Sequence, residues 1–139
     1  MASLIFNSAL NDAVRGAIDF DTDSFKVMLV TSAYTPNKDT HTKRSDVTNE
    51  VSGTGYTTGG VAVTASVTND TANDRIDISF SDPSWASSTI TARAAVIYKS
   101  RGGASSADEL IGYADFGSDV TSTSGTFSVT FTSPFRIQN

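Results

Sequence analysis

Apolar positions near the start of the chain recur at three- and four-residue spacing. Around NSALNDAVRGAIDF, residues Phe6, Ala9, Leu10, Ala13, Val14, Ala17 and Ile18 share one side of a 3.6-residue repeat, which predicts an amphipathic helix over about residues 7–19. Asn7 or Ser8 is placed to cap it, and Gly16 inside it costs about 1 kcal/mol relative to alanine. Beyond residue 24 the period shortens to two. FKVMLVT, VAVTASVT, DRIDISF, ITARAAVIY, LIGYADF and TFSVTFT are rich in β-branched and aromatic residues and are bounded by Gly, Asn, Asp and Ser, so each predicts a strand. SLIF and FRIQ add two short ones.

In DRIDISF, Ile76, Ile78 and Phe80 alternate with polar residues, and in TFSVTFT so do Phe127, Val129 and Phe131, so each strand has one buried and one solvated face. AAVIY, residues 94–98, is apolar on both parities and must lie in a central strand or against a partner on its outer face. TNDTAND reads as a hairpin loop, and SRGGASSADE and SDVTSTSGT as longer loops. The stretch from Ser32 to Gly60 is a long loop, with a short helical turn expected near Ser45 to Val51. The pattern describes an all-β chain: a jelly-roll-like β-sandwich over about residues 24–138 with one N-terminal amphipathic helix.

The length of 139 residues fits a single domain. A net charge of −5 with one small cationic cluster, Lys43-Arg44, argues against binding to nucleic-acid backbones. No apolar run approaches the length of a membrane span and no signal peptide is evident, so a chain neither anchored nor exported is expected. The absence of cysteine removes thiolate chemistry and disulfides.

Chemical motifs are sought in four places. EVSGTGYTTGG has Gly-x-Gly-x-x-x-Gly spacing and runs into a strand rather than a helix, and no Gly-Lys-Ser/Thr follows, so it predicts a structural turn rather than a phosphate cradle. Asp19, Asp21 and Asp23 resemble the first ligands of a calcium loop, but the sixth position is not glycine and the twelfth is Val30, so a solvated turn is expected. His41 is the single histidine and has no nucleophile elbow to serve. Trp85 should close one end of the core, with sugar stacking as the alternative, and Tyr34, Tyr56, Tyr98 and Tyr113 should anchor core edges. No catalytic, metal or cofactor site is expected.

AYTPNKDTHTKRSDVTNEVSGTGYTTGGVAVT, then WASSTITARAAVIYKS, LIGYADFG and GTFSVTF resemble, in that order, a group of small structural proteins of tailed bacteriophages. Within that group the chain is most similar to capsid decoration, or cementing, proteins. The resemblance implies a non-enzymatic protein, made in the host cytoplasm, that binds the outer capsid shell of the virion. There it would bridge major capsid proteins and self-associate. The protein-contact loop would run from His41 to Gly60, with His41, Lys43, Arg44, Asp46, Glu50 and Tyr56 as contact residues. A phage tail or adaptor component is the first alternative, and a carbohydrate-binding β-sandwich module the second.

Overall fold

A computed structural model describes residues 3–139. Over these residues the chain forms the all-β sandwich with one N-terminal helix that the sequence pattern predicts. The elements are β1 (Leu4–Ile5), α1 (Asn7–Val14), β2 (Phe25–Val30), β3 (Val61–Val63), β4 (Ala65–Asp70), β5 (Arg75–Phe80), β6 (Ser84–Lys99), β7 (Leu110–Ser128) and β8 (Phe135–Gln138). One antiparallel sheet has the order β1-β7-β6-β2-β3 and the other β4-β5-β8.

The principal core lies between the sheets. Phe25, Val27 and Leu29 of β2, Trp85, Ile90, Ala92, Ala95 and Ile97 of β6, and Ile111 and Phe127 of β7 meet Ile78 and Phe135 of the opposite sheet. Phe20, Phe25, Phe80 and Phe135 close one end, with ring centroids 5.5–6.3 Å apart. A second core lies on the outer face of the larger sheet, where Met28, Val30, Ala94, Val96, Tyr98, Leu110 and Tyr113 are covered by Phe6 and Tyr34. The two-sided apolar character of AAVIY is thus met within the chain, by the start of α1 and by the segment that follows β2.

Three elements differ from the sequence reading. The helix ends at Val14 rather than near residue 19, because Gly16 adopts φ +79° and forms its C-terminal cap. Ala17 N donates to Asp12 O (2.8 Å) and Gly16 N to Ala13 O (3.3 Å), the paired reversed bonds of a Schellman ending. Gly16 therefore terminates the helix instead of weakening its interior, and the Val14 side chain faces solvent at 88% exposure. Neither expected cap residue caps by its side chain, since Phe6 occupies the N-cap position. Asn7 instead binds Asp39 through its side chain (2.6 Å) and Lys38 O through its backbone (3.0 Å).

VAVTASVT is two strands rather than one. At Thr64 the chain leaves the larger sheet for the smaller, and that corner is fastened by Ser81, whose N–H donates to Thr64 O and whose Oγ accepts from Thr64 N, both at 2.9 Å. SDVTSTSGT is not a loop but the middle of β7. Its hydroxyls find cross-strand partners: Thr121 pairs with Thr91 (2.8 Å), and buried Ser122 lies 2.8 Å from Ser88 Oγ. The long β6–β7 hairpin bends at irregularities between Trp85 and Ser88, Ser88 and Ile90, and Ala92 and Ala94. The hairpin expected at TNDTAND joins β4 to β5, but its first three residues belong to β4 and the turn itself is Thr71 to Asp74.

The two kinds of glycine can be separated by experiment. A Cβ at Gly60 would lie 1.8 Å from Val27 O, whereas one at Gly16 meets nothing within 4 Å. Gly60→Ala should lower unfolding free energy by more than about 4 kcal/mol or prevent folding, and Gly16→Ala by only about 1 kcal/mol, the strain of a left-handed backbone. Urea denaturation of both variants checks the contrast.

Candidate functional site

The segment 31–60 works as a strap. Beyond Val30 the chain leaves the edge of the sheet, and Glu50 to Thr54 returns beside the half of β6 that β2 does not reach, through bridges Val30 to Glu50 and Thr54 to Thr89. β3 begins only at Val61, so Leu29 has no β3 partner. The strap supplies one: Leu29 N–H donates to Tyr56 Oη (3.0 Å), and Val51 N–H donates to Leu29 O (2.9 Å). Tyr56 Oη in turn donates to Glu50 Oε1 (2.8 Å), the same oxygen that accepts from Gly59 N–H (2.6 Å). Burial pushes the Tyr56 hydroxyl well above its ordinary pKa, so it remains a donor to the carboxylate. Tyr98 Oη donates to Gly59 O, which ties the strap to the outer core.

The glycines of EVSGTGYTTGG are explained by close approach. A Cβ at Gly53 would fall 2.6 Å from Thr89 O, and one at Gly55 would fall 2.8 Å from Ser87 O. Strap backbone runs directly against the backbone of β6 and β2, leaving no room for side chains there. Tyr56 between them packs toward Trp85, with ring centroids 5.9 Å apart.

The remaining expected contact residues are also engaged inside the chain. His41 stacks on Tyr34 and its Nδ1 lies 2.9 Å from Tyr34 Oη. The helical turn of the strap falls at Arg44–Asp46, earlier than expected, because the Asp46 carboxylate accepts Thr42 N–H (2.8 Å) and Lys43 N–H (3.0 Å). Those two bonds hold the Asp46 carboxyl below the usual carboxylate range. Arg44 Nε reaches Asp108 Oδ2 at 2.8 Å, and its guanidinium carbon lies 5.1 Å from the centre of the Tyr98 ring. Lys43 Nζ lies 3.8 Å from Glu109.

Asp108 and Glu109 are the residues that sequence reasoning missed. Both are 1% exposed, although they sit in a stretch that reads as a flexible loop. Asp108 also accepts Arg101 N–H (2.8 Å), and Glu109 accepts three bonds from the Arg101 guanidinium. Lys99 joins the neighbouring turn by donating to Asp23 and to Ala17 O, both at 2.7 Å. The only available signal was the unusual pairing of acidic residues directly before an apolar strand.

What this leaves open on the large sheet is rich in hydroxyls. On the half of the β6–β7 hairpin not covered by α1 or by Tyr34, Thr89, Thr91, Thr121 and Thr123 face outward. A depression of about 320 Å³ lies there, bounded by Thr31, Glu50, Ser52, Thr89, Thr91 and Thr121. No protein-family model, curated protein or solved structure matches this chain. The site must therefore be read from its own chemistry. Hydroxyls at fixed spacing on a sheet can donate and accept hydrogen bonds at little entropic cost, which suits a flat polar contact. Among the described residues no group of three or more His, Asp or Glu is placed to hold a metal ion.

Arg44→Ala should cost about 3 kcal/mol, because it leaves the buried Asp108 carboxylate without its cation. Lys43→Ala, at a longer and partly exposed pair, should cost less than about 1 kcal/mol; thermal unfolding separates the two. The Asp46 carboxyl has a folded pKa below its unfolded value, so its stabilisation is complete above roughly pH 5 and is lost as the pH falls through about 4 toward the folded pKa. Asp46→Asn should flatten the loss of stability measured between those limits.

Proposed function

We propose that the chain is a non-enzymatic structural protein of a tailed-phage virion, seated on the outer capsid shell and stabilising it by bridging major capsid proteins. One observation carries this reading. Lys43, Arg44, Asp46 and Glu50 of the strap are engaged within the chain, while a hydroxyl-lined face at the bend of the longest hairpin is left uncovered. Such a face has no nucleophile with a base and no paired carboxylates, and it suits many weak polar contacts repeated over a lattice. The contacts would be polar and wet.

The strap has a defined part in this proposal. With Glu50 and Tyr56 bonded to one another and Asp46 holding the turn at Arg44, the rim of the hydroxyl face is held in place before binding. Holding it rigid lowers the entropy lost on docking. His41, Lys43 and Arg44 lie farther along the same strap and act by fastening it. The carbohydrate reading loses its main support, because Trp85 is buried against Tyr56 and Phe127 and offers no open ring face.

Purified protein should bind mature empty capsids and raise their melting temperature. Thr91→Arg and Thr121→Arg each put a long cation on the face. They should weaken capsid binding by about tenfold or more, equivalent to about 1.4 kcal/mol, while shifting the chain's own stability by no more than about 0.5 kcal/mol. Failure to bind capsids at any salt concentration would overturn the proposal. A copy number of only a few per virion would transfer it to the tail.

A further inference from the structure

The outermost strands of the two sheets are β1, β3, β4 and β8, and three of these are blunted. β1 is two residues long, β3 is three residues long, and β8 follows Pro134 and carries Arg136, whose guanidinium is held by Asp77 (2.6 Å). Short strands, proline and charge are the usual protections of an edge. β4, at the outer edge of the smaller sheet, has none of them. It is six residues long, ASVTND, without proline, lysine or arginine, and Ser66 through Asn69 are exposed. Its single charge, Asp70, is paired with Arg75 at 2.9 Å.

The phase of the β4–β5 ladder decides which backbone groups of this edge are free. Ser81 N–H donates to Thr64 O, and the register continues Ala65 to Phe80, Ser66 to Ser79, Val67 to Ile78. In an antiparallel ladder hydrogen-bonded and non-hydrogen-bonded pairs alternate. Ser66 and Thr68 therefore turn their N–H and C=O groups to β5, and Ala65, Val67 and Asn69 turn theirs outward. The outward set is centred on Val67, whose side chain is 39% exposed. On the same face lie Ile76 and, two strands away, Ile137 at 46% exposure.

We propose that β4 is the docking edge for a second copy of this chain, which pairs β4 to β4 antiparallel about a two-fold axis through Val67. The occupant is specified by self-complementarity. A two-fold axis perpendicular to the sheet keeps inner faces on one side, so only residues of the same parity can oppose. In the register centred on Val67 each Ala65 faces the second copy's Asn69, and every outward N–H meets a C=O. Ser66 falls opposite Thr68, and Asp70 lies away from the second copy's Asp70, so no like charges are opposed. The two small sheets become one continuous sheet, and the Val67 side chains meet on its apolar face. This pairing is a property of the free chain and does not rest on what the chain coats.

The test uses the full chain in solution without capsids. Sedimentation should give a concentration-dependent dimer, and hydrogen exchange should show Ala65, Val67 and Asn69 amides gaining protection with concentration, while Ser66 and Thr68 are protected throughout. Val67→Lys, which sets two ammonium groups opposite each other, should raise the dimer dissociation constant by about tenfold or more. Because the chain has no native cysteine, Val67→Cys should oxidise to a covalent dimer, the Cα separation of a hydrogen-bonded pair, about 5.5 Å, being within disulfide reach. Thr123→Cys, on the other sheet, should not. A chain monomeric at all concentrations would overturn the proposal, as would a dimer indifferent to Val67→Lys. Should Val67→Lys unfold, the cysteine pair decides: equal cross-linking at both positions rejects the edge.

Discussion

The central strands β2 and β6 are apolar on both faces, and covering both is the constraint from which much of the rest follows. Val27, Leu29, Ala95 and Ile97 face the second sheet, while Met28, Val30, Val96 and Tyr98 face the other way. The helix available for that outer face has eight residues, about 12 Å at the rise of an α-helix. It covers one end only. The remainder falls to irregular chain, and irregular chain laid against apolar surface has backbone groups that must find partners without a ladder. The strap meets this need with side chains: Tyr56 accepts Leu29 N–H, Glu50 accepts Gly59 N–H, Asp46 accepts two amides of its own turn, and Tyr98 bonds Gly59 O.

The buried carboxylates at the end of the strap belong to the same solution. An acidic side chain with 1% exposure is costly unless paired and hydrogen-bonded. Asp108 and Glu109 meet cations from both the strap and their own β6–β7 connection, so their burial depends on these two separated stretches being in place together. Such a network adds little net stability over well-packed apolar side chains, but a misplaced strap would leave charges buried and unpaired. Its physical effect is to penalise alternative placements of a long loop that has few apolar residues of its own.

Periodicity made the sandwich and its helix legible, because both depend on local alternation of apolar and polar residues. The double-sided run at residues 94–98 pointed to a central strand or an outer cover, and β6 has both. Length and continuity were less legible. Ser, Thr and Asp in SDVTSTSGT read as turn residues, yet their hydroxyls are satisfied across β7 and β6, a pairing visible only once the hairpin is closed. Gly16 read as a weak point inside a helix because its left-handed backbone is a matter of conformation, not of composition. For the strap, the sequence singled out the residues but not their direction: Tyr56 and Arg44 point inward because their partners, Leu29 and Asp108, come from elsewhere in the chain, and Glu50 follows by bonding Tyr56 and Gly59.

That inward direction determines the character of the outward surface. Because Lys43, Arg44, Asp46 and Glu50 fasten the strap, the uncovered half of the large sheet presents mainly threonine. A contact formed there would depend on hydrogen-bond geometry and only weakly on ionic strength, since screening acts on charges. A charged face on a chain of net charge −5 would repel its own copies wherever they crowd together. Hydroxyls on one sheet and, on the other, an edge whose single carboxylate is paired with Arg75 would limit that repulsion.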